Sequence, residues 1–286
     1  MIYDIFHNGE EFVIVCPYHT KPIVNWDIIQ CTHRNTTLYI KKASYDDTLL
    51  INNKLYDVKT YPSFRDEIIM ATCVKDSDNY IIQWIEFHRK LGVTRFIVYD
   101  NNGISSKTYT FLRWYIKLGI VVIIPWKWKF FSEKSQETQQ AHAINAFRSA
   151  RYIGLLDIDE YVVSKTQLTQ LFEPECIHGG YCLRSKFFYN SDNASEKDYD
   201  FLKIYSCEEH PRIGEYEKAF VSPKNMRIFC IHRVSVGKPV IYRNDIHMNH
   251  YIFLNKPNRG RNKVNGFDDS IKLMYPSLFM SCNNIV

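Results

Sequence analysis

From Glu67 onward the apolar residues repeatedly change their spacing, and that alternation leaves the chain few folds to choose from. "EIIMATCV" (Glu67–Val74) is a continuous apolar run, the pattern of a strand buried on both faces. In "SDNYIIQWIEFHRKLG" (Ser77–Gly92), Ile81, Trp84, Ile85 and His88 fall at i, i+3, i+4 and i+7. That spacing predicts a helix, with Ser77 or Asp78 placed to cap it and Gly92 to end it. "TRFIVYD" (Thr94–Asp100) reads as a second buried strand, and a helix over Lys107–Leu118 leads to a third, "IVVII" (Ile120–Ile124). Another helix, from about Lys134 to Ala150, delivers the chain to "YIGLLDID" (Tyr152–Asp159). Strands that alternate with helices in this way predict an α/β fold, a mixed and mainly parallel sheet with helices on both faces.

In such sheets ligands bind beyond the carboxyl ends of the strands. Polar residues stand at those ends: Lys75 and Asp76, then Asp100, Asn101 and Asn102, then Asp157, Asp159 and Glu160. The last group follows directly on an apolar strand, where a carboxylate needs either solvent or a partner. Asp157 and Asp159 are two apart, so in extended chain both face the same side and together can hold a divalent cation such as Mn²⁺ or Mg²⁺. Two acids after a strand are also an ordinary helix cap. A calcium EF-hand is excluded, because the loop lacks the acid or amide at its fifth position and the glycine at its sixth. With no GxGxxG or Walker A loop after the first strand, dinucleotide binding and P-loop hydrolysis lack support.

Residues 1–64 follow a different pattern. "EEFVIVC", "TTLYIKK" and "TLLINNKLYDV" are short strands separated by turns, with a hairpin tip at Asn52-Asn53. "YPS" (Tyr61–Ser63) marks the boundary, so the reading is a β-rich segment over 1–64 and an α/β domain over 65–286. The net charge of +5 is mild and its basic residues are scattered, which gives no nucleic-acid footprint. Eight cysteines contain no CxxC and no tight cluster, which favours free thiols in a reducing compartment over zinc or disulfides. The acidic N-terminus is unlike a signal peptide and no apolar run is long enough to span a bilayer. The expectation is a cytoplasmic protein.

Four segments, in this order, add a resemblance: "CVKDSDNYIIQWIEFHRKLGVTRFIVYDNNG", "QETQQAHAINAFRSARYIGLLDIDEYVV", "KAFVSPKNMRIFCIH" and "NHYIFLNKPNRG". Together they resemble the GT-A glycosyltransferases of family 92 and their family 2-like relatives, over about Ile68 to Gly260. Asp76 and Ser77 stand where that family has Asn-Glu, and Gln83 where it has Glu. The resemblance implies a GT-A, Rossmann-like fold and inverting sugar transfer from a nucleotide-sugar, a UDP-sugar, to a hydroxyl of a glycan or glycoprotein. It implies that Asp157 and Asp159 hold the cation. It also implies that Lys75, Asp76, Asp100, Asn101 and Gln140 face the nucleotide-sugar together with Asp157. Periodicity alone would leave Gln139 and Gln140 on the helix surface, and Asp100 as a loop cap.

In this fold class a C-terminal histidine completes the metal shell. His232 and His250 are equal candidates, with His247 behind them. Lys256, Arg259 and Arg261 form a basic loop that matches a diphosphate in charge, or else a solvated turn. An inverting transfer needs a carboxylate base. Asp192 and Glu209 are put forward, with Glu208, Glu215 and Glu217 as further choices. His88, on the apolar face of its helix, reads as a satisfied core histidine, and Trp126 and Trp128 either line a sugar site or pack. The competing readings are a nucleotidyl- or phosphoryl-transfer enzyme using the same acidic loop, and a silent carbohydrate-binding protein. Oligomeric state, donor sugar and acceptor are not legible in these residues.

Overall fold

The computed structural model describes residues 2–17, 20, 22, 29–33, 36–75, 80–103, 107–129, 135–188, 206–207, 210–211, 216–251, 266–269 and 271. The alternating segment forms β8 (Ile68–Val74), α1 (Ile81–Lys90), β9 (Arg95–Asp100), α2 (Thr108–Lys117), β10 (Val121–Pro125), α3 (Ser135–Ala146) and β11 (Tyr152–Leu155). These elements precede β12 (Glu160–Ser164), α4 (Leu168–Leu171), β13 (Gly180–Leu183), β14 (Ser185–Phe188), β15 (Ser206–Cys207), β16 (Lys218–Val221), β17 (Met226–Cys230), β18 (Arg233–Gly237), β19 (Val240–Tyr242), β20 (Ile246–Tyr251) and β21 (Gly266–Phe267).

Among the described residues the central sheet has the order β10-β9-β8-β11-β16-β13-β19. Its first four strands are mutually parallel, and β16 runs antiparallel to both β11 and β13. The chain builds outward from β8 to β10, then α3 carries it back so that β11 lands on the other side of β8. Strand order therefore reverses between β8 and β11, and the crevice at such a reversal is where open α/β sheets place ligands.

Alternation along the strands explains why both faces are covered. Ile68 and Met70 of β8 and Phe96 and Val98 of β9 join Trp84, Ile85 and Leu112 from α1 and α2 in one core. Ile69, Ala71, Ile97 and Tyr99 point the other way, into a second core with Ala141, Ala143, Ile144 and Phe147 of the α3 segment. At Gly154, in β11, an added Cβ would come 2.6 Å from Phe220 Cε1 and 2.9 Å from Met70 Cγ, so the adjoining strands leave room only for hydrogen. Gly92, at φ +91°, follows the end of α1 in the left-handed conformation expected of a terminating glycine. The N-cap position of α1 is Tyr80, and the expected caps Ser77 and Asp78 lie outside the described residues.

The N-terminal region contributes β1 (Asp4–His7), β2 (Glu11–Pro17), β3 (Ile29–His33), β4 (Thr36–Lys42), β5 (Thr48–Ile51), β6 (Lys54–Asp57) and β7 (Lys59–Thr60). β5 and β6 form the expected hairpin, with Asn52 and Asn53 left-handed at its tip (φ 51° and 59°). The sheet β3-β4-β2-β1-β7 lies over α3: Phe6, Val13, Val15, Leu38 and Ile40 share the core of Ala141 and Ile144. This corrects the placing of Gln139 and Gln140 on a helix surface. Both are buried, because α3 is sandwiched between two sheets and has no solvent face there.

Polar clamps seal the same junction. His142 Nε2 meets Asp4 Oδ2 at 2.9 Å, and Arg227 donates two bonds of 2.7 Å to the Glu11 carboxylate. The seven described cysteines are free thiols. Among the described residues no helix is long and apolar enough to cross a membrane.

Candidate active site

The acidic loop sits where the chain leaves one sheet for another. β11 belongs to the central sheet, whereas β12 pairs with β20 in the order β12-β20-β14-β15-β21. Leu156 and Ile158 are buried in the core between them, so the intervening Asp157 and the following Asp159 turn to the opposite side. The turn is closed from both ends. Glu160 N–H donates to Asp157 O (3.1 Å), and Asp157 N–H donates to Glu160 Oε2 (2.7 Å). Glu160 therefore belongs to the site as much as the two aspartates do.

Helix α1 holds the far side of the loop. Trp84 Nε1–H donates to Glu160 O (2.9 Å). His88 Nδ1–H donates to Trp84 O (2.8 Å) while its Nε2 accepts Val162 N–H (3.2 Å). A carbonyl only accepts and an amide N–H only donates, so these partners require the neutral imidazole. Burial pushes the His88 pKa down to about 3, in the same direction. His88 is thus the satisfied core histidine that its spacing suggested, and it also fixes the strand carrying the acids.

The two histidine candidates separate. Register places His250 opposite Glu160 on β20. His250 Nε2 lies 3.6 Å from Asp159 Oδ2 and its Nδ1 lies 3.7 Å from Glu160 Oε1. Asp159, Glu160 and His250 each offer a ligand atom within 4.8 Å of the others. His232 sits further along β16–β17, its Nδ1–H bonded to Glu217 O (2.9 Å), outside that group. Burial and the Lys218 charge lower its pKa. His247, three positions before His250 on β20, projects to the other face of the strand.

A lysine dominates the electrostatics. Lys218, first residue of β16, has a side chain only 1% exposed, with Nζ 2.7 Å from Asp157 Oδ2 and 3.6 Å from Glu160 Oε2. Gln136, in the first turn of α3, donates to the other Asp157 oxygen (2.5 Å). Burial lowers and the Asp157 and Glu160 charges raise the Lys218 pKa, and the carboxylates win. Burial pushes Glu160 up to about 7 against the pull of Lys218. Burial opposes the His250 imidazolium too, yet the neighbouring Asp159 holds its pKa above the ordinary value.

The other strand ends converge on the same mouth. Burial raises the Cys73 thiol, and the charges of Asp157 and Asp100 raise it further. Asp100 Oδ1 accepts Asn102 N–H (3.0 Å), and Asn101 Nδ2 donates to Trp128 O (2.7 Å) and to Trp126 O, which shapes the loop after β9. Lys75 closes β8 in an exposed position. Gln140 Oε1 accepts Ile231 N–H (2.8 Å), holding the left-handed Ile231 (φ 41°) just before His232. Trp126 is buried and packs on Tyr3, so it is core, whereas Trp128 meets the edge of Tyr3 and stays half-buried. Glu217 points away from Lys218 and accepts bonds from Tyr242 (2.7 Å) and Cys182 (3.4 Å). That partnership weighs against it as the base. Asp76, Asp192, Glu208, Glu209, Glu215, Lys256, Arg259 and Arg261 lie outside the described residues.

Sequence reasoning overlooked Lys218 and Gln136, and placed Glu160 at the strand end without naming it a ligand. One signal was available: "KAFV" begins an otherwise apolar strand with a lysine, a residue seldom buried without a counter-charge.

Residues 70–270 match the family model described as glycosyltransferase family 92. A glycosyltransferase family 92 protein of Oryza sativa subsp. japonica is 29% identical over 104 residues, which is 32% of this chain and 15% of that protein. Another from Ricinus communis is 27% identical over 99 residues, 33% of this chain and 17% of that protein. One from Arabidopsis thaliana is 26% identical over 117 residues, 37% of this chain and 18% of that protein. The aligned stretch is thus less than a fifth of each relative's length.

Proposed function

We propose an activity on one premise: this chain belongs to glycosyltransferase family 92. It transfers a sugar from a nucleotide-sugar, a UDP-sugar, to a hydroxyl of a glycan or glycoprotein, in a GT-A arrangement of the central sheet. The observation that carries this reading is the convergence of Asp157, Asp159, Glu160, His250 and Lys218 beside the point where strand order reverses.

The donor set suits a hard divalent cation. Glu160 Oε1 and His250 Nδ1 are buried and have no hydrogen-bond partner among the described residues. Two carboxylates and one imidazole match Mn²⁺ or Mg²⁺, which favour oxygen and accept nitrogen. Charge agrees. A bound divalent ion would draw the protons off Glu160 and His250, and the group of Asp157, Asp159, Glu160, Lys218 and His250 would then carry −3 + 1 = −2, the complement of that ion. Asp159, Glu160 and His250 would hold that ion, and when bound it supplies charge neutralisation for the departing diphosphate.

The protein's own part is to bind and orient. The loop between β11 and β12 is held by Trp84, His88 and the Asp157–Glu160 turn, so its acids face the mouth without rearrangement. In the transfer, the acceptor oxygen forms a bond to the anomeric carbon as that carbon's bond to the diphosphate oxygen breaks. The hydroxyl proton passes to a carboxylate base, for which Asp192 and Glu209 stay the candidates.

Thermal unfolding with UDP- and GDP-sugars, with and without Mn²⁺, tests the reading. A ligand that binds only the folded state raises its stability. The expected result is a rise with a UDP-sugar that requires Mn²⁺. If no nucleotide-sugar raises the stability, with Mn²⁺ or without it, the reading is overturned.

A further inference from the structure

Among the described residues Lys218 is the lysine whose ammonium lies among the acids, and it does not treat them alike. Its Nζ is 2.7 Å from Asp157 Oδ2, a strong charge-assisted bond, but 3.6 Å from Glu160 Oε2. Gln136 takes the other Asp157 oxygen, so both oxygens of that carboxylate already accept from protein donors. Asp159 and Glu160 are engaged differently. Glu160 has a side chain that is 0% exposed, and its Oε1 has no hydrogen-bond partner among the described residues and lies 3.7 Å from His250 Nδ1. The second oxygen of Glu160 is turned back onto Asp157 N–H.

We propose that Lys218 is a positioning residue that divides the acidic loop: it holds Asp157 out of the cation's coordination shell and leaves Asp159, Glu160 and His250 to form it. This rests on the cation reading given above. The familiar expectation for two acids spaced Asp-x-Asp is a shared ion, yet here the first acid is already neutralised by a resident ammonium. Lys218 is too buried to reach a substrate, so its effect is exerted through Asp157 and Glu160. An ammonium fixed that close to the shell also repels an incoming cation, since Lys218 and Glu160 are themselves buried and the charge between them is weakly screened. The lysine therefore offsets the repulsion among the acids and moderates how tightly they hold the ion. A site that must admit and release a nucleotide-bound cation in each turnover benefits from that moderation.

Calorimetric titration of Mn²⁺ alone into the folded protein at pH 8 tests this without any sugar or acceptor. Wild type should bind. Asp159→Asn should weaken Mn²⁺ by at least about tenfold, as loss of a charged oxygen ligand does, whereas Asp157→Asn should change it by less than about threefold. Lys218→Met, which keeps the bulk and removes the charge, should bind Mn²⁺ at least about fivefold tighter, and Lys218→Arg should stay within about twofold of wild type. Mn²⁺ should also raise the melting temperature of Lys218→Met by more than that of wild type, because the ion replaces a missing counter-charge.

Equal losses in Asp157→Asn and Asp159→Asn would overturn the division of the loop, and so would a folded Lys218→Met that binds no tighter. If Lys218→Met does not fold, the two aspartate variants decide the matter by themselves. No Mn²⁺ binding by wild type would instead overturn the cation reading, and this proposal with it.

Discussion

Acidification should loosen this protein through one buried imidazole, and the size of the effect follows from its partners. His88 is fully buried, with Nδ1–H on Trp84 O and Nε2 accepting Val162 N–H. A proton on Nε2 would break the second bond and place a charge in the core, which is why burial holds the pKa down to about 3. In the unfolded chain it returns to about 6.5. Between those values the unfolded state binds the extra proton, so stability rises with pH across this window and is lost as pH falls. The slope is about 1.4 kcal/mol per pH unit, and from pH 7 to pH 5 the loss integrates to about 2 kcal/mol.

His88→Phe removes the titration but leaves Val162 N–H unsatisfied, a cost of about 1–3 kcal/mol at pH 7.5. Denaturant unfolding of both proteins at pH 7.5, 6 and 5 separates the two effects. The variant should begin less stable, and the gap should narrow by about 2 kcal/mol at pH 5, since every other titrating group is common to both. Parallel stability–pH curves would refute the argument that the neutral tautomer is enforced.

Two further outcomes concern the frame of the site. Gly154→Ala should cost about 1–3 kcal/mol by overpacking, because its Cβ would meet Phe220 Cε1 at 2.6 Å, and thermal unfolding reads this directly. Arg227→Met should cost about 3 kcal/mol, because it takes both short charge-assisted bonds from the buried Glu11 carboxylate and leaves Arg148, at 3.8 Å, as its nearest cation among the described residues. Glu11→Gln combined with Arg227→Met should recover more than half of that loss in urea unfolding, and no recovery would mean the pair is not coupled.

The alternation from Glu67 to Asp159 was legible because each segment must bury an apolar face, and strands and helices do so at different periods. The hairpin at Asn52-Asn53 was legible for a local reason as well, since both residues tolerate the left-handed turn. What the periods could not show was the sandwich around α3. Gln139 and Gln140 look like surface until the N-terminal strands are seen to cover the helix, a contact between residues more than a hundred positions apart. The acids were visible as chemistry, but their partners were not. Lys218 reaches Asp157 only because β16 pairs with β11, and His250 reaches Glu160 only because β20 pairs with β12. Strand pairing across sixty or ninety residues leaves no local signature, so His232 and His250 were indistinguishable until the register was known.

The central claim is that this acidic loop serves sugar transfer with a divalent cation. The measurement that tests it most directly is release of UDP from a panel of UDP-sugars, with and without Mn²⁺, by wild type and by Asp159→Asn. The account predicts release by wild type from at least one donor, abolished by a chelator and restored by Mn²⁺, and lowered at least about a hundredfold in Asp159→Asn while the variant keeps its fold. Equal release by Asp159→Asn, or release that ignores the chelator, would contradict it.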